Sequence, residues 1–222
     1  MIAAWSRPSA MPRPLTLSSL PLFPLGTVLF PGGLLPLRVF EVRYLDMVRK
    51  CQQAGAPFGV VGLRNGSEVR QAGAPQEELH DVGTLASIDS LHSPQAGLLL
   101  LQASGTRRFR IQRRERLPGG LWVADVEQLP ADTVVEVPED LQRIPSALAQ
   151  VLGQLRQRDA EAAATLPDPT PDQLADCGWV ANRWCELLPV PLDLKQQLMA
   201  LDNPLLRLEL VGDVLDRTGI AP

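Results

Sequence analysis

Side chains able to break bonds are few in this sequence and widely scattered. The thiols are Cys51, Cys177 and Cys185, the imidazoles His80 and His92, and the amines Lys50 and Lys195. A serine nucleophile needs a neighbouring base to take its proton. The stretch to consider is Ile144-Pro145-Ser146-Ala147, with one of the two lysines as base. Both lysines fall on the wet faces of predicted helices, where an amine stays protonated and is no base. Neither histidine has a serine or cysteine motif attached. The thiols are odd in number and show no CxxC spacing, which reads as reduced cysteines, not a disulfide framework or a zinc set. The dipeptide Gly-Lys does not occur, so no GxxxxGK[ST] loop can cradle phosphates. What remains is recognition. The chain is expected not to be an enzyme and to hold neither metal nor cofactor.

Recognition has several candidates. Gly105–Gly120 (GTRRFRIQRRERLPGG) carries six arginines. On a strand, Phe109 and Ile111 share one parity with Arg107 and Arg113, and Arg108, Arg110 and Arg114 line the other face. An RNA-contacting strip is one reading of those three. A solvated strand whose charge blocks edge-to-edge pairing is the other. Aromatics for base stacking are scarce nearby, Glu115 interrupts the run and the net charge is −4, so nucleic acid is not expected as the main partner. Arg38, Glu41 and Arg43 lie at a strand-to-helix junction. An Arg38–Glu41 ion pair could orient the helix there, or all three could form the polar rim of a peptide groove. Trp179 and Trp184 are five apart, which puts one in the core and the other against the β-part, where it could anchor a peptide. Phe23 and Phe30 are apolar candidates for the floor of such a groove.

These residues need elements to position them. The 222 residues are 45% hydrophobic and 21% charged, the balance of a water-soluble globular chain. No charged residue lies between Arg13 and Arg38, yet Pro21, Pro24, Pro31 and Pro36 forbid a continuous spanning helix there. Residues 1–18 lack the apolar run of a signal peptide and read as a flexible lead-in, with Met11 as a second candidate start. No membrane association is expected, and reduced thiols suit the cytoplasm. Short strands are predicted over Leu20–Phe23, Thr27–Phe30 and Leu34–Val39. Helical spacing follows over Glu41–Ala54, ended by Gly55, then strands over Phe58–Arg64, Val82–Leu91, Leu98–Ala103, Thr106–Arg113 and Leu121–Leu129. Gln71–Leu79 reads as a polar loop. From Ala131 the pattern turns helical: Leu141–Leu155, then a helix opened by the capping box Thr170-Pro171-Asp172-Gln173 and carrying Leu174 to Leu188. Two more open at Asp193 and at Asn203-Pro204, the last closed by Gly219. The expected class is α+β: a small partly closed β-barrel or a pair of packed sheets over 19–130, followed by a helical subdomain over 131–222.

Three stretches also resemble a known family. LPLFPLGTVLFPGGLLPLRVFEVRYLDMV (Leu20–Val48) is similar to the opening of the Lon protease N-terminal domain family. DVGTLASI (Asp81–Ile88) with LLLQASGTRRFRI (Leu99–Ile111) resembles its later strands, and LPVPLDLKQQLMALDNPLLRLELVGDVL (Leu188–Leu215) its C-terminal helices. The resemblance implies a PUA-like β-domain followed by a helical bundle. It further implies a non-catalytic module that captures unfolded or tagged polypeptides, or docks on a protease or chaperone, without the ATPase and peptidase domains of full Lon proteases. Assembly with identical chains is left open.

Overall fold

The computed structural model describes residues 15–66, 77–158 and 166–220. Six strands form one mixed sheet: β1 (Thr16–Leu25), β2 (Leu34–Val39), β3 (Phe58–Asn65), β4 (Glu78–Gln95), β5 (Leu98–Arg116) and β6 (Trp122–Gln128). Strand β5 closes it. One of its edges pairs with β4, while the other pairs first with β2 and then with β6. Strand β6 pairs with β1, and β1 lies parallel to β3, so β1, β3, β4, β5 and β6 make a closed ring with β2 on its flank. A parallel pair needs a crossover. Here β2 and helix α1 (Val42–Ala54) supply it, and α1 ends at Gly55, in the left-handed conformation (φ 59°) that glycine adopts without strain.

The ring is filled by Leu20, Leu22, Val61, Leu79, Leu85, Phe109 and Val126. Phe109 fits because Gly83 faces it: a Cβ there would stand 2.5 Å from the ring tip. A second core joins α1, through Tyr44, Leu45, Met47, Val48 and Cys51, to Phe23, Val39, Phe58 and Leu99.

Thr27–Phe30, expected to be a strand, runs irregularly. Leu29 buries beneath α1 while Val28 and Phe30 enter the helical core, so consecutive residues serve different cores. The Leu29 carbonyl accepts the Thr84 hydroxyl (2.6 Å) in place of a ladder bond. Ser104-Gly105, expected to break the strand, lies inside β5. The glycine marks a close approach, because a Cβ there would overlap Phe30 O. Strand β4 already begins at Glu78, inside the predicted polar loop, whose residues 71–76 lie outside the described residues.

The helices are α2 (Arg143–Arg158), α3 (Pro171–Leu174), α4 (Cys177–Leu187), α5 (Leu192–Ala200) and α6 (Pro204–Thr218). The capping box at Thr170 forms, but the helix it opens stops after one turn. Ala175 O accepts Val137 N–H, and Cys177 N–H donates to Val135 O, so the connecting segment takes over the backbone there. Asp176 then caps α4 through Gly178 and Trp179 N–H. At the centre of this core Trp184 donates to Ile144 O (3.1 Å) among Leu148, Leu152, Val180, Leu208 and Val211. No helix among the described residues is long and apolar enough to cross a membrane.

Candidate functional site: the seam between barrel and helices

The helices meet the barrel on both sides of the Pro31-Gly32-Gly33 turn. Gly32 takes φ +74°, a left-handed conformation that glycine adopts without strain, and the Pro31 and Gly32 carbonyls of the turn take side-chain donors. Arg183 of α4 answers them, donating to Gly32 O (2.5 Å) and Pro31 O (3.0 Å) with its side chain buried, and it also binds Glu186 (2.7 Å). Buried carbonyls need donors, and a guanidinium supplies several in one planar group.

One side of the turn is held by charge. Arg108 and Arg207 are 3% and 1% exposed, and both bind Asp132. Arg108 also donates to Met199 O (3.1 Å) and Leu201 O (2.8 Å) and pairs with Asp202. Arg207 adds bonds to Asn182, Leu198 O and Leu201 O. This knot joins β5, the linker after β6, α4 and α6. Trp179 borders a recess beside it, with Pro31, Arg107, Pro130 and Asp132, and the Arg183 guanidinium lies 5.7 Å from its ring centre.

The other side is open. A groove of about 410 Å³ runs between the barrel and the helices, with Val28, Leu29, Leu34, Leu35 and Leu187 on its apolar walls. Its polar end holds Arg183, Glu186 and Lys195. Desolvation pushes the Glu186 carboxyl up to about 7 against the pull of Arg183 and Lys195, while 28% of that side chain remains exposed. Lys195 donates to Glu186 O (3.1 Å), and burial lowers its pKa.

The residues singled out in the sequence are distributed differently from their expected grouping. Phe23 is enclosed, stacked on Tyr44 at 4.1 Å, and Phe30 is fully buried in the helical core, so neither forms a groove floor. Glu41 pairs with Arg43 (3.1 Å) and not with Arg38. Arg43 also donates to Gly120 O (2.8 Å) and faces Glu77, a buried carboxylate that accepts Trp122 Nε1–H (2.6 Å) and pairs with Arg116. Arg43 and Glu41 thus fasten α1 to the β5–β6 turn, while Arg38 stands exposed. The arginine strip does not form one solvated face. Arg108 is buried in the knot, Arg114 binds Leu79 O and Asp81, and Arg110 is exposed. The alternation runs through Ile111 and is then interrupted by a register shift before Arg113, while the face opposite Phe109 is covered by helices at Arg108 and exposed at Arg110.

Among the described residues no hydrogen bond joins the candidate nucleophile Ser146 to Lys195. Ser146 Oγ donates to Gln142 O (2.9 Å), and Lys195, expected on a wet face, is half-buried at the groove end. The three thiols are buried, and desolvation raises all of them, to about 11 at Cys177 and about 12 at Cys185, so they stay protonated at neutral pH. No group of metal-ligating side chains occurs among the described residues. Asp132, Arg183, Glu186 and Arg207 were absent from the sequence reading. The available signal was Asn182-Arg183 inside the apolar helix CGWVANRWCEL, where a buried guanidinium must have a partner.

Residues 19–217 match the family described as the ATP-dependent protease La (LON) substrate-binding domain. The solved Lon N-terminal domain protein from Xanthomonas campestris is 33% identical, with a TM-score of 0.64 over 88% of this chain and 97% of that one. The N terminal domain of Mycobacterium avium complex Lon protease, 18% identical with a TM-score of 0.55 over 90% of this chain and 98% of that one, shares the fold. Among curated relatives, Lon protease of Anaeromyxobacter dehalogenans (strain 2CP-C) is 24% identical over 89% of this chain and 23% of its own length. Lon protease 2 of Myxococcus xanthus is 26% identical over 97% of this chain and 26% of its own length. The chain therefore spans about a quarter of the curated relatives it matches. By the extent of the family match and the likeness to the Xanthomonas structure, this chain belongs to the LON substrate-binding domain family.

Proposed function

We propose that this chain binds polypeptide segments non-covalently, holding exposed apolar stretches of unfolded or tagged proteins in the groove beside the Pro31-Gly32-Gly33 turn. The observation that carries the reading is the groove itself. It is several hundred Å³ in size, apolar along Val28, Leu29, Leu34, Leu35 and Leu187, and polar at one end through Arg183, Glu186 and Lys195. Apolar clefts with a few converging polar groups are the usual form of a binding site. Family membership supports the same direction, and the separation of Ser146 from Lys195 in their hydrogen bonding supports binding without cleavage.

The test is binding of a fluorescently labelled, permanently unfolded protein, followed by anisotropy and competed with short apolar peptides. Leu34→Asp introduces a charge on the groove wall at a residue that is 43% exposed, so the fold tolerates it. Affinity should fall about tenfold or more, the scale set by desolvating one unpaired carboxylate. Unchanged affinity in that variant, or proteolysis of the client that depends on Ser146 or Lys195, would overturn the reading.

A further inference from the structure

Strand β2 borders the groove and ends the sheet. It pairs with β5 alone, in the register Leu34↔Ser104 to Val39↔Leu99. Just before it, Gly105 N–H donates to Gly33 O (2.8 Å). In an antiparallel ladder alternate residues bond the same neighbour. Counting by two from Gly33, the residues that bond β5 are Leu35, Leu37 and Val39. Leu34, Pro36 and Arg38 turn their backbone groups outward. Pro36 fits this parity, because proline is confined to positions where its missing N–H would face away from the sheet. The outer edge therefore presents two N–H donors, at Leu34 and Arg38, and three carbonyls, and no other described residue bonds them.

Two further observations bear on what that edge accepts. Leu34, Leu35 and Pro36 are themselves lining residues of the groove, so a chain laid on the edge places alternate side chains against Val28 and Leu187. Arg38, roughly 13 Å along the strand from Leu34, is exposed and has no ion pair among the described residues. At the groove end Arg183 pairs with Glu186, and Lys195 donates to the Glu186 main-chain carbonyl. Arg38 is the cation on the strand edge itself. A second copy of this edge does not fit, because symmetric pairing about Pro36 would set two proline rings face to face with no donor between them.

We propose that β2 receives an extended polypeptide segment as an added strand, apolar where it enters the groove and carrying a carboxylate near Arg38. This rests on the polypeptide-binding reading and specifies how the backbone is recognised. Main-chain bonds to the edge give affinity without sequence demand, and the groove selects alternate side chains. A module that must accept many clients is served by that division.

The probe is a fluorescein-labelled peptide of alternating valine and threonine with one aspartate beyond the alternating run, titrated into the full chain. Two derivatives carry N-methyl groups on alternate backbone nitrogens, one set on each edge of the peptide strand. Methylation of the edge facing β2 should weaken binding about tenfold or more, since it removes several backbone bonds at once, while methylation of the other edge should have little effect. Amide hydrogen exchange at Leu34 and Arg38 should slow on binding of the parent peptide, and Arg38→Glu should weaken the aspartate peptide more than its asparagine analogue. Equal affinity of both methylated forms, with unchanged exchange at Leu34 and Arg38, would overturn strand addition and leave groove binding standing. Failure of the parent peptide to bind while the unfolded protein still does would also overturn it. Failure of both to bind would defeat the underlying reading instead.

Discussion

The two sides of the Pro31-Gly32-Gly33 turn meet the same helices with opposite chemistry. On one side two guanidiniums at 3% and 1% exposure share Asp132, and main-chain carbonyls of α5 and its exit accept further bonds from them. On the other, Val28 and several leucines face a groove that no described residue fills. Buried charges are costly unless paired, and such pairing depends on good hydrogen-bond geometry. Apolar walls impose no such geometry. In the function proposed above, this is a division of labour: the knot fixes how the helices sit on the barrel, and the groove accepts varied segments.

The largest expected effect comes from breaking the knot. Asp132→Ala leaves Arg108 and Arg207 buried without their shared carboxylate and should cost about 3–5 kcal/mol of unfolding free energy, read from urea denaturation. A midpoint close to wild type would mean that the knot is not what holds the helices. Next is Arg183→Met, which keeps the volume but strips the donors from Pro31 O and Gly32 O. It should cost about 1–3 kcal/mol and also weaken client binding, because the turn borders the groove.

The third prediction concerns pH. Glu186 holds its proton up to about pH 7 when folded, against about 4.5 when unfolded. Its contribution to stability is therefore complete below about pH 4.5 and is lost as pH rises through about 7. Glu186→Gln, which cannot ionise, should be more stable than wild type near pH 8 by about 1–2 kcal/mol, allowing for the exposed part of the side chain, with the gap closing near pH 5. A constant gap across that range would place the charge of Glu186 outside the balance at the seam.

How much of this was legible in the sequence depends on the range of the interaction. Helix α1, the caps at Thr170 and Asn203, and the glycine stop at Gly219 follow from local rules, and the structure forms them. Reading the uncharged stretch as sheet held for Leu20–Phe23 and Leu34–Val39 because proline excludes a helix locally. It failed at Thr27–Phe30, where two cores and the Thr84 hydroxyl, all remote in sequence, determine the path. The site was less legible. Arg108 is identical in local pattern to its arginine neighbours, and only the arrival of α5 and α6 distinguishes it. Glu41 chose Arg43 over Arg38 because Gly120 and Glu77, far along the chain, hold the Arg43 guanidinium in reach.

The smallest expected effect on stability is at the groove wall, and it carries the most direct test. Leu34→Asp should unfold within about 0.5 kcal/mol of wild type, as surface substitutions do, so any loss of binding reports on the groove and not on the fold. Anisotropy titration of a labelled unfolded protein against wild type and Leu34→Asp is the decisive measurement. Affinity lower by about tenfold or more at matched stability is the result expected from a polypeptide-holding groove. Equal affinity of the two proteins would contradict it and place recognition elsewhere on the molecule.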